Sequence, residues 1–282
     1  MFTGVAVGPV ASSCTILTEE DAGPGRVGLP WSHEWSCGAY VVTRSDGHAS
    51  AAQELVDFEP FAPDEVPSMG GRLQRLCRAA RRDLTVSGVG VSVMSRTGGL
   101  VVTAASSPGS ARVEDLQFEL GVGPCVTACT TGRPVMVPDL EQAADVAWPG
   151  YASAALAHGV QAVFAFPMRD GGATLGALDV YRDHPGVMSE WAVARALGFA
   201  QVAMDTILDS GGIGADESDL LADEQEVGFE VYQAQGMVMV QLTVPPEEAL
   251  ARMRGYAFAE NRSLREVAND ILARRLVLES DR

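Results

Sequence analysis

The sequence is poor in the features that mark membrane, exported or disulfide-rich proteins. No hydrophobic run among its 282 residues approaches the roughly 18–20 residues that a membrane span needs. The first residues lack the basic segment of a secretory signal, so we expect a cytoplasmic protein. The five cysteines form no Cys-x-x-Cys pair and the four histidines show no zinc-ligand spacing, which indicates reduced thiols. The sequence identifies no cofactor.

The chain also contains no lysine, so arginine supplies all 20 of its basic side chains. The 37 acidic residues outnumber them and give a net charge of −17, which argues against a protein that coats nucleic acid. The acidity is uneven, because residues 211–230 carry seven acids and no base. Residues 231–282 carry seven of each sign, so this last segment is locally rich in arginine.

Length and composition favour a folded chain with two domains. Hydrophobic residues make up 47% and charged residues 20% of the sequence, which excludes wholesale disorder. Residues 1–67 are acidic and rich in glycine, proline and serine. We expect a poorly ordered acidic arm there, with a docked extra element as the alternative, and assign no function to it. A short helix is predicted over 51–58.

Residues 70–210 alternate between helical and strand patterns. Apolar spacing predicts helices over 71–84, 152–158 and 189–208. Alternating apolar runs predict strands at 89–93, 100–105, 135–137, 161–168 and 175–181. Turns are predicted at Thr97-Gly98-Gly99 and Asp170-Gly171-Gly172, and the stretch after the second strand is expected to be looped. The order indicates an α+β domain with an antiparallel sheet and flanking helices.

The remaining residues indicate an acidic linker over 211–225 and a small all-α unit over 226–282. Pro245-Pro246 separates the first two of its three predicted helices. Ser263 and Glu266 have the spacing of a capping box at the start of the third helix. Three short helices in about fifty residues predict a small bundle.

Several short motifs in residues 70–210 occur in an order that is known from one family. They are Glu119–Cys125 (ELGVGPC), Gly132–Val135 (GRPV), Trp148-Pro149 and Gly176–Tyr181 (GALDVY). This region resembles GAF domains of the actinobacterial type. The resemblance implies a sensory or dimerising module with a pocket for a small molecule on one side of its sheet.

A second resemblance covers about residues 226–278. Tyr232–Met239 (YQAQGMVM), Glu248–Leu250 (EAL) and Ser263–Ala268 (SLREVA) look like an ANTAR domain. The resemblance implies an RNA-binding module of bacterial regulators, which recognises paired small hairpins in transcript leaders and favours antitermination. Pro245 departs from the pattern, because a Ser or Thr cap is expected before Pro246, and this puts the start of that helix in doubt.

The residues expected to contact RNA lie on the three predicted helices. Arg252 and Arg254 each precede an aromatic ring by four residues, and guanidinium planes beside aromatic faces suit unstacked bases. Two further arginines lie at the start of the third helix, where free amide donors favour phosphate. Gln233 and Gly236 match the family motif. The full set is Gln233, Gly236, Arg252, Arg254, Tyr256, Arg262 and Arg265.

These residues also have structural interpretations. Glu248 and Arg252 have the spacing of an ordinary i,i+4 surface pair, and Tyr256 is a candidate for the bundle core. The acidic run 216–230 is interpreted as a solvated linker helix. Masking of the basic face in a resting state, or steering of the RNA, is its functional alternative.

Three aromatic residues of the GAF region, Trp148, Tyr151 and Phe166, are candidates for lining a ligand pocket, with the aromatic core as the alternative. Cys125 and Cys129 are a candidate redox pair, because some GAF-fold proteins are methionine sulfoxide reductases. Packing of small side chains in the core is the other interpretation. No catalytic or metal-binding residue is assigned.

The last helix of the GAF region carries apolar residues at heptad spacing: Val193, Leu197, Ala200, Met204 and Ile207. A second apolar face contains Trp191, Ala194 and Val202. One face is expected to cover the sheet and the other to meet a partner helix, which predicts a homodimer.

Together these patterns predict a non-enzymatic RNA-binding antitermination regulator that binds hairpin RNA and whose GAF domain senses a ligand or dimerises. Two alternatives remain open. One is a GAF-type cysteine redox enzyme that resembles methionine sulfoxide reductases, and the other is a protein-interaction adaptor.

Overall fold

The chain builds its larger domain around one sheet, as seen in a computed structural model. The structure describes residues 14–17, 40–41, 46–63, 65, 68–94, 100–148, 150–210, 229–260 and 262–278. The predicted turn at 97–99, the acidic linker 211–225 and most of the N-terminal segment lie outside the described residues.

The described strands pair in the order β2-β1-β5-β6-β7-β3-β4. Their bounds are β1 Cys14–Leu17, β2 Tyr40–Val41, β3 Gly88–Met94, β4 Leu100–Ala105, β5 Val135–Val137, β6 Ala162–Asp170 and β7 Ala173–Arg182. Neighbours are antiparallel except for β1 and β2, which pair in parallel. The strands from β3 to β7 form the antiparallel sheet that the sequence predicted.

The helices that flank the sheet are α1 Asp46–Phe58, α2 Met69–Asp83, α3 Pro108–Leu120, α4 Pro124–Thr131, α5 Leu140–Ala147, α6 Tyr151–Ala157 and α7 Glu190–Asp209. Helices α3 and α4 occupy a stretch that was expected to be looped. Ser107 caps α3 by accepting a hydrogen bond from the Ser110 N–H, and Pro108 stands in the first turn, where its missing N–H is tolerated. Gly121 ends α3 in the left-handed conformation.

The sheet buries both of its faces. Phe164 and Phe166 belong to the core on one face, together with side chains of α2 and α7. Val163 and Ala165 belong to the core on the other face, together with side chains of α4 and α6. Successive residues of β6 therefore enter different cores, as the period of two in a strand requires.

The N-terminal segment contributes ordered elements to this domain. Helix α1 packs along α7, with Ala52 and Val56 in the core. Gly198 of α7 lies against the His48 backbone, where an added Cβ would be 2.6 Å from the carbonyl oxygen. Strand β1 pairs with β5. For these described elements, a docked extension replaces the expected poorly ordered arm.

Helix α7 packs its heptad face within the chain, whereas Trp191 on its second apolar face is 52% exposed. The heptad positions Val193, Ala200, Met204 and Ile207 are buried in the core. Val202 on the second face is buried as well, and α1 and α2 both pack against this helix. The heptad pattern therefore reflects intramolecular packing and offers no free seam to a second copy. The homodimer itself stays a prediction.

Three further helices form a second core: α8 Phe229–Leu242, α9 Pro246–Ala259 and α10 Leu264–Leu272. The predicted capping box is present, because Ser263 Oγ accepts from the Glu266 N–H while the Glu266 carboxylate accepts from the Ser263 N–H. Helix α9 begins without a side-chain cap. Its start is favoured instead by proline in the first turn and by two adjacent glutamates at the positive end of the helix.

No helix within the described ranges combines the length and the apolar character that a membrane crossing requires.

The substitution Gly198→Ala tests the docking of α1 on α7. The new methyl group would overlap the His48 carbonyl, so we expect the free energy of unfolding to fall by about 1–3 kcal/mol. The thermal midpoint should drop, and limited proteolysis should release α1 first. Gly70→Ala is the control, because a Cβ there meets nothing closer than Ser68 Oγ at 3.8 Å. Equal midpoints for the two variants would contradict the packing.

Candidate functional site

Several polar side chains lie fully buried between the sheet and helices α3, α4 and α6. Glu114 of α3 and Asp179 of β7 place their carboxyl groups there, and Cys125 of α4 adds a thiol. The ligand atoms of these three side chains lie within 4.8 Å of one another. Together with the neighbouring Tyr151 and the groups that bond to them, they are called the polar cluster: Ser92, Glu114, Gln117, Cys125, Tyr151, Asp179 and Tyr181.

Neutral donors hold the two carboxyl groups. Tyr181 Oη donates to Glu114 Oε1 at 2.7 Å, and Ser92 Oγ donates to Glu114 Oε2 at 2.8 Å. Gln117 Nε2 donates to Asp179 Oδ2 at 2.7 Å. The carbonyl oxygen of the same Gln117 side chain accepts a hydrogen bond from the N–H at the start of α4 at 2.8 Å. Gln117 therefore ties α3 to both β7 and α4.

Two glycines provide the room that this cluster needs. Gly90 on β3 faces Glu114, and a Cβ there would overlap the carboxyl group. Gly123 has a φ of 151°, and a Cβ there would overlap the Gln117 side chain. The sheet and the start of α4 are thus shaped around the two α3 side chains.

The cluster favours protonated side chains, because it is buried and none of the described residues gives it a cationic hydrogen-bond partner. Burial raises the pKa of Asp179 to about 7 and raises the pKa of Glu114 well above its usual range. The hydrogen bond with Cys129 and burial both raise the pKa of the Cys125 thiol. Cys125 is therefore protonated at neutral pH, unlike the exposed, low-pKa cysteines that act as nucleophiles.

Two of the three predicted pocket residues lie on this side of the sheet. Tyr151 belongs to the polar cluster, and Trp148 packs in the same core with its Nε1 donating to Thr127 Oγ1 at 2.9 Å. Phe166 lies in the core on the opposite face. The predicted grouping of three is therefore wrong for Phe166, because strand alternation separates it from the other two.

The acidic members of the polar cluster were not singled out from the sequence. Asp179 and Tyr181 gave a signal, since they are two polar side chains that alternate within an otherwise apolar strand. Glu114 and Gln117 gave a weaker signal, because their i,i+3 spacing is meaningful only on a helix. The prolines and glycines around α3 indicated a loop instead.

Several predicted RNA-contacting residues of the small bundle lie on partly exposed surface and form local pairs. Arg252 pairs with Glu248 at 2.8 Å, and Arg262 pairs with Asp270 at 2.6 Å. Tyr256 packs partly buried against the bundle core. The structural interpretations of Arg252 and Tyr256 therefore hold in this structure, and neither excludes contact with a ligand at the same surface.

Gln233 and Gly236 lie on the exposed side of α8 and line one groove of about 610 Å³. The rest of its lining is mainly apolar and comes from α8 and from the end of the bundle: Met237, Val240, Gln241, Ile271, Arg274, Leu276 and Val277. The structure thus brings these two predicted residues together, but the other five do not line the groove.

Arg254 contacts the end of α3. Its Nε and Nη2 donate to the Phe118 carbonyl oxygen at 3.1 and 2.7 Å, and the guanidinium carbon lies 5.8 Å from the centroid of the Phe118 ring. Carbonyl groups in the last turn of a helix lack intrahelical donors and carry the negative end of the dipole, which favours a cation there. Gly121 leaves the space, because a Cβ at this position would lie 2.7 Å from Arg254 Nη1.

The side chain of Phe118 completes the core of the bundle. It is 5% exposed, and its ring centroid lies 6.1 Å from that of Tyr232. Arg265 interacts electrostatically with Asp115 and Glu119, whose pKa values burial nevertheless raises. We call Asp115, Phe118 and Glu119 the docking face of α3. Two of the predicted RNA-binding arginines, Arg254 and Arg265, are thus directed at the larger domain.

Comparison with known families assigns both domains. A family model of the GAF domain matches residues 68–206, and a model of the ANTAR domain matches residues 229–272. The chain belongs to the GAF and ANTAR domain-containing proteins: a sensory domain is followed by the module that serves RNA-binding antitermination. Both resemblances, and the α+β fold followed by an all-α bundle, are confirmed.

Solved structures resemble the GAF part. The GAF domain of a phosphoenolpyruvate-protein phosphotransferase from Coxiella burnetii is 16% identical, with a TM-score of 0.48 over 60% of this chain and 96% of that chain. The GAF domain of the phosphoenolpyruvate-protein phosphotransferase from Acinetobacter is 14% identical, with a TM-score of 0.46 over 61% of this chain and 99% of that chain. Free methionine-R-sulfoxide reductase from Neisseria meningitidis is 18% identical, with a TM-score of 0.41 over 59% of this chain and 93% of that chain. Comparison with curated proteins gives no significant match.

The raised pKa of Asp179 predicts that stability falls as the pH rises. The folded chain keeps a proton that the unfolded chain releases near pH 4, so this stabilisation is complete below pH 4 and is lost as the pH rises towards and beyond 7. The Asp179→Asn variant carries no such proton. Between pH 5.5 and 8, the thermal midpoint of the unmodified protein should fall several degrees more than that of the variant. A chelator is present throughout, so that adventitious metal ions do not affect the midpoints.

The control for this pH experiment is Asp205→Asn, which changes an exposed carboxyl group on α7. Its midpoints should follow those of the unmodified protein across the same pH range. If Asp179→Asn also follows them in parallel, the buried carboxyl group does not titrate as described.

Proposed function

We propose that the protein is a regulator of transcription antitermination in which the ANTAR bundle binds paired hairpins in leader RNA. The observation that carries the proposal is the match of the ANTAR domain to residues 229–272. The bundle supplies suitable chemistry, because residues 252–275 include six arginines, whose planar guanidinium groups bind phosphate and stack on bases. Bacterial transcripts are made in the cytoplasm, and the proposal places the protein there.

The proposed role of the GAF domain is to control access to the bundle. Arg254 and Arg265 face the docking face of α3, so RNA reaches them only when the two domains separate. An RNA phosphate and the Phe118 carbonyl oxygen then compete for the same N–H donors of Arg254. A hydrogen bond with a charged partner contributes about 1.5–3 kcal/mol, so docking lowers RNA affinity by roughly 10- to 150-fold.

A signal acts on this equilibrium only through a difference in affinity. A small molecule, ion or partner that binds the released form more tightly than the docked form raises RNA affinity. Homodimerisation is part of the proposal, and it uses a surface other than the heptad face of α7, which is buried within the chain.

The geometry gives little support to the redox alternative. The Cys125 thiol is fully buried, and its hydrogen bond with Cys129 raises its pKa, whereas a nucleophilic cysteine needs an accessible thiolate. A protein-interaction adaptor differs from the proposed regulator in one measurable property, since it would show no preference for hairpin RNA.

Binding of the full chain to a tandem-hairpin leader RNA tests the proposed function. We expect selective binding over a scrambled single hairpin, weakened by salt because phosphate contacts release counterions. In fluorescence anisotropy, Arg252→Ala and Arg262→Ala should each weaken binding by about tenfold and reduce its salt dependence. Arg133→Ala changes an exposed arginine of the GAF domain and should leave the affinity unchanged. Equal affinity for both RNAs would favour the adaptor.

The substitution Gly121→Ala tests control by docking. The added Cβ displaces the Arg254 guanidinium from the end of α3, so RNA affinity should rise by about tenfold. Gly132→Ala is a matched control, because Gly132 ends α4 with a φ of 66° and Gly121 ends α3 with a φ of 69°. Both substitutions strain a left-handed residue, but only the first lies at the docking contact. If the two variants bind RNA equally, docking does not limit access.

A further inference from the structure

The polar cluster contains a set of donor atoms that the proposed RNA binding does not use. Glu114, Cys125 and Asp179 come from α3, α4 and β7, and they direct two carboxyl groups and one thiol to a common point. All three residues are buried, and their donor atoms lie within 4.8 Å of one another. Helices and a central strand position them, so the grouping does not depend on an exposed loop.

A second observation at the same point is a pair of buried polar atoms without partners. Tyr151 Oη and Asp179 Oδ1 have no hydrogen-bond partner within the part of the chain that the structure describes. Tyr151 is fully buried and interacts electrostatically with Asp179, Glu114 and Cys125, so its hydroxyl group lies beside the donor set. Buried polar atoms without partners are rare because each costs about 1–3 kcal/mol. These two atoms therefore favour a ligand at this position.

Charge indicates what kind of ligand this is. The hydrogen bonds to the two carboxyl groups come from the hydroxyl groups of Ser92 and Tyr181, the Gln117 amide and the Cys125 thiol, and none of these donors is charged. Buried carboxylates require protons or a cation to remain stable in a site of low polarity. A cation therefore complements the cluster, whereas an anion would add to its charge.

We propose that the polar cluster binds a divalent transition-metal ion of the zinc type through Glu114, Asp179 and Cys125. Carboxylate oxygen and thiolate sulfur are both common zinc ligands, and the thiolate selects against magnesium and calcium. Ser92, Tyr181 and Gln117 would then orient the ligating carboxylates.

The distances allow this with a modest contraction. Bonds of about 2.0 Å to oxygen and 2.3 Å to sulfur in a tetrahedral site place neighbouring donors about 3.3–3.6 Å apart. The longest of the present separations, which reach 4.8 Å, shorten by about 1.2–1.5 Å when the ion enters. Binding displaces the thiol proton and any carboxyl protons into solvent, so affinity falls as the pH falls.

Titration of the full chain with Co²⁺, after removal of bound metal with a chelator, tests the site. Cobalt bound to a thiolate produces a charge-transfer band in the near ultraviolet, so we expect this band to saturate at one equivalent and to disappear on addition of Zn²⁺. Zn²⁺ should also raise the thermal midpoint by about 5 °C when present at a hundredfold excess over Kd.

Variants assign the band to the cluster. Cys125→Ala should abolish it, and Asp179→Asn, which keeps the thiol, should weaken cobalt binding by at least about tenfold. Cys77→Ala removes another buried cysteine, in the core on the opposite face, and should keep the full band. The proposal is overturned if the unmodified chain gives no thiolate band, or if Cys125→Ala or Asp179→Asn binds cobalt as the unmodified chain does. Circular dichroism verifies that each variant is folded.

Discussion

The helix α3 links the two domains because it is buried on two sides that belong to different cores. Glu114 and Gln117 face the sheet and hold the polar cluster together. Asp115, Phe118 and Glu119 face the ANTAR bundle, which Phe118 enters as a core residue. With 3.6 residues per turn, Glu114 and Gln117 lie on one side of the helix, and Asp115, Phe118 and Glu119 lie on the adjoining side. A packed helix moves as a unit, and a shift that repositions the Glu114 carboxyl group also repositions the Phe118 carbonyl group.

The shared helix α3 would couple the proposed metal site to the proposed RNA site, and such a coupling has to act in both directions. If a metal ion draws Glu114, Cys125 and Asp179 together, its affinity depends on where α3 lies, and so does the contact between Phe118 and Arg254. An ion that prefers the released form raises RNA affinity by a given factor, and RNA raises the affinity for the ion by the same factor. An ion that binds both forms equally stabilises the GAF domain and leaves RNA binding unchanged. The same reasoning applies to protonation of Asp179.

Local patterns predicted most of the fold, and nonlocal contacts account for what they missed. The β6–β7 hairpin, the long helix α7 and the capping box at Ser263 each leave their signal within a few residues, so the sequence predicted them correctly. Helix α3 was missed because proline and glycine lie at both of its ends, where they act as first-turn residue and cap. The polar cluster joins residues from 92 to 181, and the docking contact joins residues 136 positions apart. No periodicity records such pairs, and the same holds for the fit of α1 against Gly198.

The proposed function requires a chain with a net charge of −17 to bind RNA selectively, and the docking face offers a physical basis for this. The bundle is electrically balanced, and its Arg254 and Arg265 already have a carbonyl oxygen and two carboxylates as neighbours. RNA replaces these acceptors with phosphates, so a single phosphate gains little over the docked arrangement. A ligand that reaches several arginines at once, including Arg252 and Arg262 on the partly exposed surface, gains at every contact while it displaces α3 only once. In the proposed regulator, docking would therefore discriminate against short or weakly structured RNA more strongly than against an extended, folded one, and this selectivity suits the recognition of paired hairpins.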